Sequence, residues 1–442
     1  MIHAVTESGS SVANTMLGDS PRFDRWMAHH RTDTPTSSNQ PALELPFQRW
    51  FKFKEAFSPR FILDCFDLMG RAPRRCLDPF GGSGTTALTC QFADVQPATI
   101  EVNPFLADLI EAKLSSHNIE RLQRDFLSVC QNHSRRKPNL RKLFAGGPAT
   151  LVEPGVKGRW IYNREVAQTI AQIRLSIDEL AHADSRRVLR VALGSVLVEL
   201  SNAVVNGKGR RYRSNWQLRP VKRADVLTKF SASFSAIFED LCLYADRNCR
   251  EFQLLRGDSR LLVGKIGKFD AAIFSPPYPN SFDYTDIYNL ELWMLGYLDT
   301  KSSNQSLRRS TLRSHVQVSR PLEAKPIAST RLRRLYAELS AIRGELWDDR
   351  LPEMVISYFE DMRLILADIH ASLESDGRVF MAVGNSQYAG VRIDVPKILA
   401  DISENLGFEV ISSHAIRSMR TSAQQGGEHD LAESLVVLAP AR

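Results

Sequence analysis

Residues 74–102 read "RRCLDPFGGSGTTALTCQFADVQPATIEV", and this stretch decides the fold. The run "RRCLD" is a strand ending on an acid, Asp78, and "PFGGSGTT" after it is a glycine-rich turn. A short apolar helix, "ALTCQFA", and a second strand, "ATIEV", complete a βαβ unit. Such a unit predicts a mostly parallel sheet with helices on both faces and ligands at the C-terminal ends of the strands.

Gly81, Gly82 and Gly84 occupy the turn, where backbone must take positive φ or let a ligand approach closely. A phosphate-cradling loop requires the lysine of G-x-x-x-x-G-K-[ST], and a dinucleotide turn requires G-x-G-x-x-G; neither pattern stands here. A nucleoside carrying a sulfonium cation fits better, because it brings no phosphate and gains from a nearby carboxylate. Asp78 precedes the turn, and Glu101 ends the second strand about 20 residues on, where an acid takes ribose hydroxyls in folds of this type. A tight strand-to-helix connection is the plainer alternative, and it explains the glycines but not the acids.

Strands and helices alternate on either side. "PRFILDCFDLM" has the apolar spacing of a helix and ends at Gly70. Past residue 225 come the helix "VLTKFSASFSAIFEDLCLYA", the strands "EFQLLRGD" and "FDAAIFS", and the helix "TDIYNLELWMLGYL". The long helix "MVISYFEDMRLILADIHASLESDG" leads to the strand "RVFMAVG", the helix "VPKILADISENLG" and the strands "FEVISS" and "ESLVVLA". Lys301 to Thr330 reads as irregular. The expected organisation is a flexible N-terminal arm over 1–46, a catalytic α/β domain over 47–119 and 226–442, and a basic helical insertion over 120–225 that is a candidate DNA-recognition region.

Composition is ordinary for a globular chain, with 43% hydrophobic and 24% charged residues. No apolar run reaches the roughly 18–20 residues of a spanning helix, and "MIHAVTESGSSVANTM" lacks a secretory pattern, so a cytoplasmic protein with no membrane partner is expected. Six scattered cysteines without a Cys-x-x-Cys pair fit reduced thiols and imply no metal site. The net charge of +7 is uneven: residues 121–225 carry 21 Lys/Arg against 8 Asp/Glu, and residues 301–334 carry 9 against one. Concentrated positive charge neutralises phosphates. Lys208, Arg210, Arg211 and Arg213 in "NGKGRRYRSNW", and Arg308, Arg309 and Arg313 in "SLRRSTLRSHVQVSR", are the candidate DNA contacts. The alternative is a helical scaffold whose arginines pair with acids elsewhere.

A second motif, "FSPPYPNSFDY" (274–284), follows a strand. Two prolines make a rigid, extended loop whose carbonyls point away from any ladder, and the next aromatic ring can stack on a planar ligand. A nucleobase with an exocyclic amine, turned out of its duplex, asks for both.

"DPFGGSGTT" and "SPPY", in that order, resemble the amino-group DNA methyltransferases, which methylate N4 of cytosine or N6 of adenine with S-adenosyl-L-methionine. The resemblance covers the α/β parts, about half the chain. It implies a Rossmann-like S-adenosylmethionine-dependent methyltransferase sheet. Phe53, Ser58 and Pro59 in "FKFKEAFSP" would then close over the methionine part of the cofactor, and Asp78, Pro79, Phe80, Gly81, Gly82 and Gly84 would surround it. Glu101 would take the ribose and Asp258 in "RGDS" would lie near the adenine. Ser275, Pro276, Pro277 and Tyr278 would form the catalytic loop, and "SDGRVFMAVGNS" resembles the helix-to-strand segment after it. Ser275 Oγ and the Pro276 carbonyl would draw the amine hydrogens so that the nitrogen lone pair faces the methyl group, with Tyr278 stacked on the base. C5 methylation requires a Pro-Cys nucleophile, and the chain has no Pro-Cys dipeptide.

Serine at the head of the loop favours cytosine N4 over adenine N6. Double-stranded DNA is the expected partner, with a cognate restriction endonuclease or defence-system proteins beside it. An RNA methyltransferase and a catalytically silent DNA-binding protein are the competing readings.

Overall fold

The computed structural model describes residues 21–28, 38, 42–53, 55–206, 209–249, 251–322, 329–419 and 431–441. Seven strands form one sheet: β1 (Arg75–Asp78), β2 (Gln96–Glu101), β3 (Gln253–Arg256), β4 (Phe269–Phe274), β5 (Leu373–Gly384), β6 (Phe408–Met419) and β7 (Leu431–Pro440). Their order is β6-β7-β5-β4-β1-β2-β3. β1 to β5 pair in parallel, with Leu77 opposite both Ala98 and Ala272. β7 departs from the expected parallel pattern, running antiparallel to both β5 and β6.

Burial explains the composition of the strands. Every residue of β4, "FDAAIF", is buried, as a strand covered on both faces requires. Ala271, Ile273, Phe380 and Leu435 face one helical layer, and Ala272, Phe274, Met381 and Val436 face the other, which is the period-two alternation of a strand. Helices Thr85–Phe92, Pro104–Leu114 and Arg223–Leu243 cover the first face, and Leu351–Ser372 and Val395–Asn405 cover the second. The strand order reverses between β1 and β4, and the crevice beyond their C-terminal ends is where such a fold binds ligands.

Residues 120–225 do not stand apart from this core. Helices Arg164–Asp178 and Ala183–Leu200 place Val166, Ile170, Val188 and Leu189 in the same cluster as Phe105 and Leu109. A Cβ on Gly194 would lie 2.4 Å from the Phe105 ring, so the helix there seats directly on Phe105. Charges join the two as well: Arg187 pairs with Glu111 at 2.7 Å and with Asp108 at 3.6 Å.

Parts of three segments without apolar periodicity are regular among the described residues. Much of 1–46 lies outside the described residues, but Pro21–Met27 is a helix, and fully buried Trp26 stacks on Phe92 at 4.2 Å. Lys301–Arg309 is a helix capped by Thr300, whose hydroxyl accepts from the Ser303 amide, and Leu312, His315 and Val316 beyond it are buried. The basic loop after Leu200 is an antiparallel hairpin, Ala203–Asn206 with Gly209–Tyr212.

Candidate active site

The glycine turn is fixed from several sides. Gly81 N–H donates to the Ile100 carbonyl at 2.9 Å, tying the turn to β2. Gly82 and Gly84 have φ of 53° and 81°, and a Cβ on either would approach the Phe53 ring or the Ile110 side chain at 3.0 or 2.9 Å. Fully buried Lys113 donates to the Ser83 carbonyl at 2.7 Å, and burial lowers its pKa to about 7. Glu101 accepts from the Gly82 and Asn103 amides, both at 2.7 Å, yet burial raises its pKa to about 7. Asp78 accepts from Phe80 N–H at 2.9 Å and is raised by burial to about 6.

A cavity of about 420 Å³ opens beside this turn, within the size range of small-molecule sites. Phe53, Pro79, Phe80, Gly82, Glu101, Asp258 and the whole of Ser275–Tyr278 line it. Asp78, Gly81, Gly84, Ser58 and Pro59 are not among its lining residues. They support it from behind: Ser58 and Pro59 are buried at the start of helix Pro59–Met69. Asp258 is committed to a partner within the wall, accepting from Arg260 Nε at 2.9 Å and Nη2 at 2.6 Å.

Residues of the proline loop form a hydrogen-bonded row with a distant strand. Tyr278 Oη donates to Glu433 Oε1 at 2.7 Å, and Ser275 Oγ lies 3.2 Å from Tyr278 Oη. Arg417 stands 3.0 Å from the other Glu433 oxygen, and the two residues face each other in the β6–β7 register. A tyrosine has one hydroxyl hydrogen. Because Glu433 receives it, the bond to Ser275 must be donated by the serine, which leaves the Ser275 lone pairs available to accept from a ligand. Tyr278 is therefore held at its hydroxyl by the protein as well as lining the cavity.

A further wall comes from the segment after Lys301. Ser310, Thr311, Leu312, Ser314 and His315 line the cavity. Ser281 N–H donates to the Ser314 carbonyl at 3.0 Å, and Arg308 Nε donates to Asp283 at 2.7 Å. Arg313 donates to Asp361 at 2.8 Å through both its amide and Nη2. This segment is seated against the stretch that follows the proline loop through Ser281 and Asp283.

The proposed DNA contacts divide accordingly. Arg308 and Arg313 belong to the wall, whereas Arg309 is exposed. Arg213 donates to the carbonyls of Ser201 and Val198 at 3.3 and 3.1 Å, capping helix Ala183–Leu200. Arg210 is largely buried 3.7 Å from Asp286, and Arg211 is exposed on the same strand. Lys208 lies outside the described residues. Elsewhere in the segment Arg121, Arg136 and Arg190 pair with Asp184, Glu179 and Asp178, so part of the positive charge is structural.

The sequence reading missed Glu433, Arg417 and His315. Glu433 carried a signal: it is the one acid in the mostly apolar run "LAESLVVLA", in phase with the inward-facing Leu435 and Val437. Among the described residues, no helix is long and apolar enough to cross a membrane and no cluster of three metal-ligating side chains occurs.

No family model matches the chain. Its sequence is 27% identical over 440 residues to type II methyltransferase M.AvaI of Nostoc sp., covering 92% of this chain and 88% of that protein. M.AvaI of Anabaena variabilis matches to the same extent. Type II methyltransferase M.BsoBI of Geobacillus stearothermophilus is 24% identical over 437 residues, with 86% of this chain and 82% of that protein covered. The rRNA methyltransferase aviRa from Streptomyces viridochromogenes overlays 87% of this chain and 85% of its own, but 9% identity and a TM-score of 0.26 carry no argument. Along 92% of its length, then, this chain is similar in sequence to a type II methyltransferase.

Proposed function

We propose that the chain is an S-adenosylmethionine-dependent DNA methyltransferase of the amino-group type, acting on N4 of a cytosine turned out of duplex DNA. The hydrogen order along Ser275, Tyr278 and Glu433 carries this reading. It turns Ser275 Oγ into an acceptor at the mouth of a rigid proline loop, and an exocyclic amine is a donor. Accepting one amine hydrogen reduces delocalisation of the nitrogen lone pair into the ring, which is what makes the nitrogen nucleophilic. A primary amine that gains a methyl group must shed a proton, and Ser275 Oγ, Tyr278 Oη and Glu433 Oε1 form a connected path for it. Positioning and a fixed polar surround then supply the catalysis.

The cofactor pocket suits the same reading. When bound, S-adenosylmethionine supplies the methyl group from its sulfonium. Glu101, buried and with its charge suppressed in the free protein, gains from a cation and can accept ribose hydroxyls. Phe53 and Phe80 flank the turn with aromatic surface, and Asp258 stiffens the wall through Arg260. The type II names of the relatives support a place in restriction–modification, with a cognate endonuclease as the partner to seek.

Nucleoside mass spectrometry on DNA incubated with the protein and S-adenosylmethionine tests this, beside Ser275→Ala. N4-methylcytosine from the wild type alone is the expected result. N6-methyladenine would keep the mechanism and replace the base. No modified base on DNA of varied sequence would overturn the reading and turn attention to RNA.

A further inference from the structure

Four acids line the cavity, Glu55, Glu101, Asp258 and Glu433, against a single arginine, Arg417, and no lysine among the described residues. The arginines of the neighbouring wall are engaged within it. Arg308 holds Asp283, Arg313 holds Asp361, and Arg320 donates to the carbonyls of Thr311 and Leu312 at 2.8 and 2.7 Å. His315 adds no charge near neutral pH, because burial lowers its pKa to about 4. Arg417 is therefore the fixed positive charge of the cavity lining.

An irregularity of its strand places it there. β6 and β7 shift register between Ala415 and Arg417, so that Arg417, and not Ile416, lies opposite Glu433. A bulge of this kind re-aims a side chain, and residues directly opposed in an antiparallel pair share a face. Arg417 Nη2 stands 3.0 Å from Glu433 Oε2, while Oε1 accepts from Tyr278. The Arg417 side chain remains 31% exposed. A guanidinium has five N–H donors in a planar fork, so one contact to Glu433 leaves donors for a second anion. That anion is either the carboxylate of the cofactor's methionine or a phosphate of the DNA, and topology favours the phosphate. The glycine turn follows β1 and Glu101 ends β2, whereas β7, β5 and β4 separate β1 from the strand of Arg417. Arg417 instead connects through Glu433 to Tyr278, on the side of the target base. A base turned out of its duplex brings the phosphates on either side of it toward the cavity, where unscreened carboxylates would repel them.

Resting on the amino-group reading above, we propose that Arg417 binds a phosphate flanking the extruded nucleotide, meeting Glu433 with one part of its fork and the phosphodiester with another. The test is a cycle between protein and backbone. The modified position is first mapped in DNA methylated by the wild type. Duplexes are then made with one neutral methylphosphonate linkage, placed in turn on the 5′ and the 3′ side of that nucleotide and at linkages further along the strand. Single-turnover transfer at DNA concentrations below saturation is measured for the wild type, Arg417→Lys and Arg417→Gln. One of the two flanking methylphosphonates is expected to slow the wild type about 10- to 100-fold. Arg417→Gln slows the natural duplex by a similar factor and lowers the salt slope of binding by about one. At that linkage the two changes together cost no more than either alone, whereas at distant linkages their effects multiply. Arg417→Lys, which keeps the charge but not the fork, retains part of the response. An undiminished wild-type rate with either flanking linkage neutral, a measurement that needs no variant, overturns the proposal, as do fully multiplying losses at both. Weakened S-adenosylmethionine binding in Arg417→Gln with the linkage response intact would assign the residue to the cofactor and overturn it too. Absence of any methylated nucleoside from the wild type would instead remove the underlying reading and this inference with it.

Discussion

Tyr278 and Glu433 stand 155 residues apart in the sequence and 2.7 Å apart in the structure, the phenol donating to the carboxylate. A strand inside the sheet thereby decides which way a hydroxyl points on a distant loop. Glu433→Gln keeps the shape but replaces an obligate acceptor with a group that also donates. Methyl transfer is expected to slow about 10- to 100-fold with S-adenosylmethionine affinity nearly unchanged, read by rapid quench and calorimetry. An equal loss of cofactor affinity would assign Glu433 to the fold alone.

Glu101 and Asp78 make the site sensitive to pH. Their folded pKa values, about 7 and about 6, lie above the ordinary 4.5 and 3.8. The folded chain thus binds these protons more tightly than the unfolded one. Their contribution to stability is fully present below about pH 4 and is lost as pH rises through 6 to 7. A cationic cofactor favours the ionised Glu101, so its affinity should fall as pH drops from 8 to 6, with proton release near pH 7. Calorimetry in buffers of different ionisation enthalpy measures the release. It should vanish in Glu101→Gln; identical profiles for the two proteins would dissociate Glu101 from the cofactor.

Asp361 holds two walls at once. Its carboxylate, 1% exposed, receives Arg260 at 3.0 Å and Arg313 at 2.8 Å, and Arg260 in turn grips Asp258. Asp361→Ala leaves two largely buried guanidiniums facing one another, at an expected loss of about 3–5 kcal/mol in denaturant unfolding. Limited proteolysis should then cut first within 309–320. A loss under about 1 kcal/mol would mean that water replaces the carboxylate.

The arginines of the hairpin should behave differently from one another. Arg211→Ala, at an exposed position, is expected to weaken duplex binding and lower its salt slope by about one. Arg213→Ala removes a helix cap and should lower the melting temperature instead. Equal effects of both on the salt slope would return Arg213 to the DNA surface.

What the sequence revealed and what it hid follow from range. Asp78, Gly82 and Glu101 lie within one βαβ unit, so short-range spacing was enough to group them, and the proline loop carried its own stiffness. The reading failed where function depends on pairing between distant segments. Lys301 to Thr330 lacks apolar periodicity because Arg308, Arg313 and Arg320 hold it through charged and carbonyl contacts, which hydrophobic patterning does not register. Arg213 looked like a phosphate ligand because a helix C-terminus 12 residues away is invisible to a charge count. Glu433 was visible as an odd acid in an apolar strand, but its partner was not.

The antiparallel placement of β7 between β5 and β6 has a consequence for the timing of synthesis. A nascent chain emerging from the ribosome has its glycine turn and proline loop long before residue 433. Until β7 slots in beside β5, Tyr278 has no carboxylate to receive its hydrogen, and the direction of the Ser275 hydrogen is not yet set. The proposed activity would therefore be withheld from incomplete chains, and the cell's chromosome would meet it only after the sheet has closed.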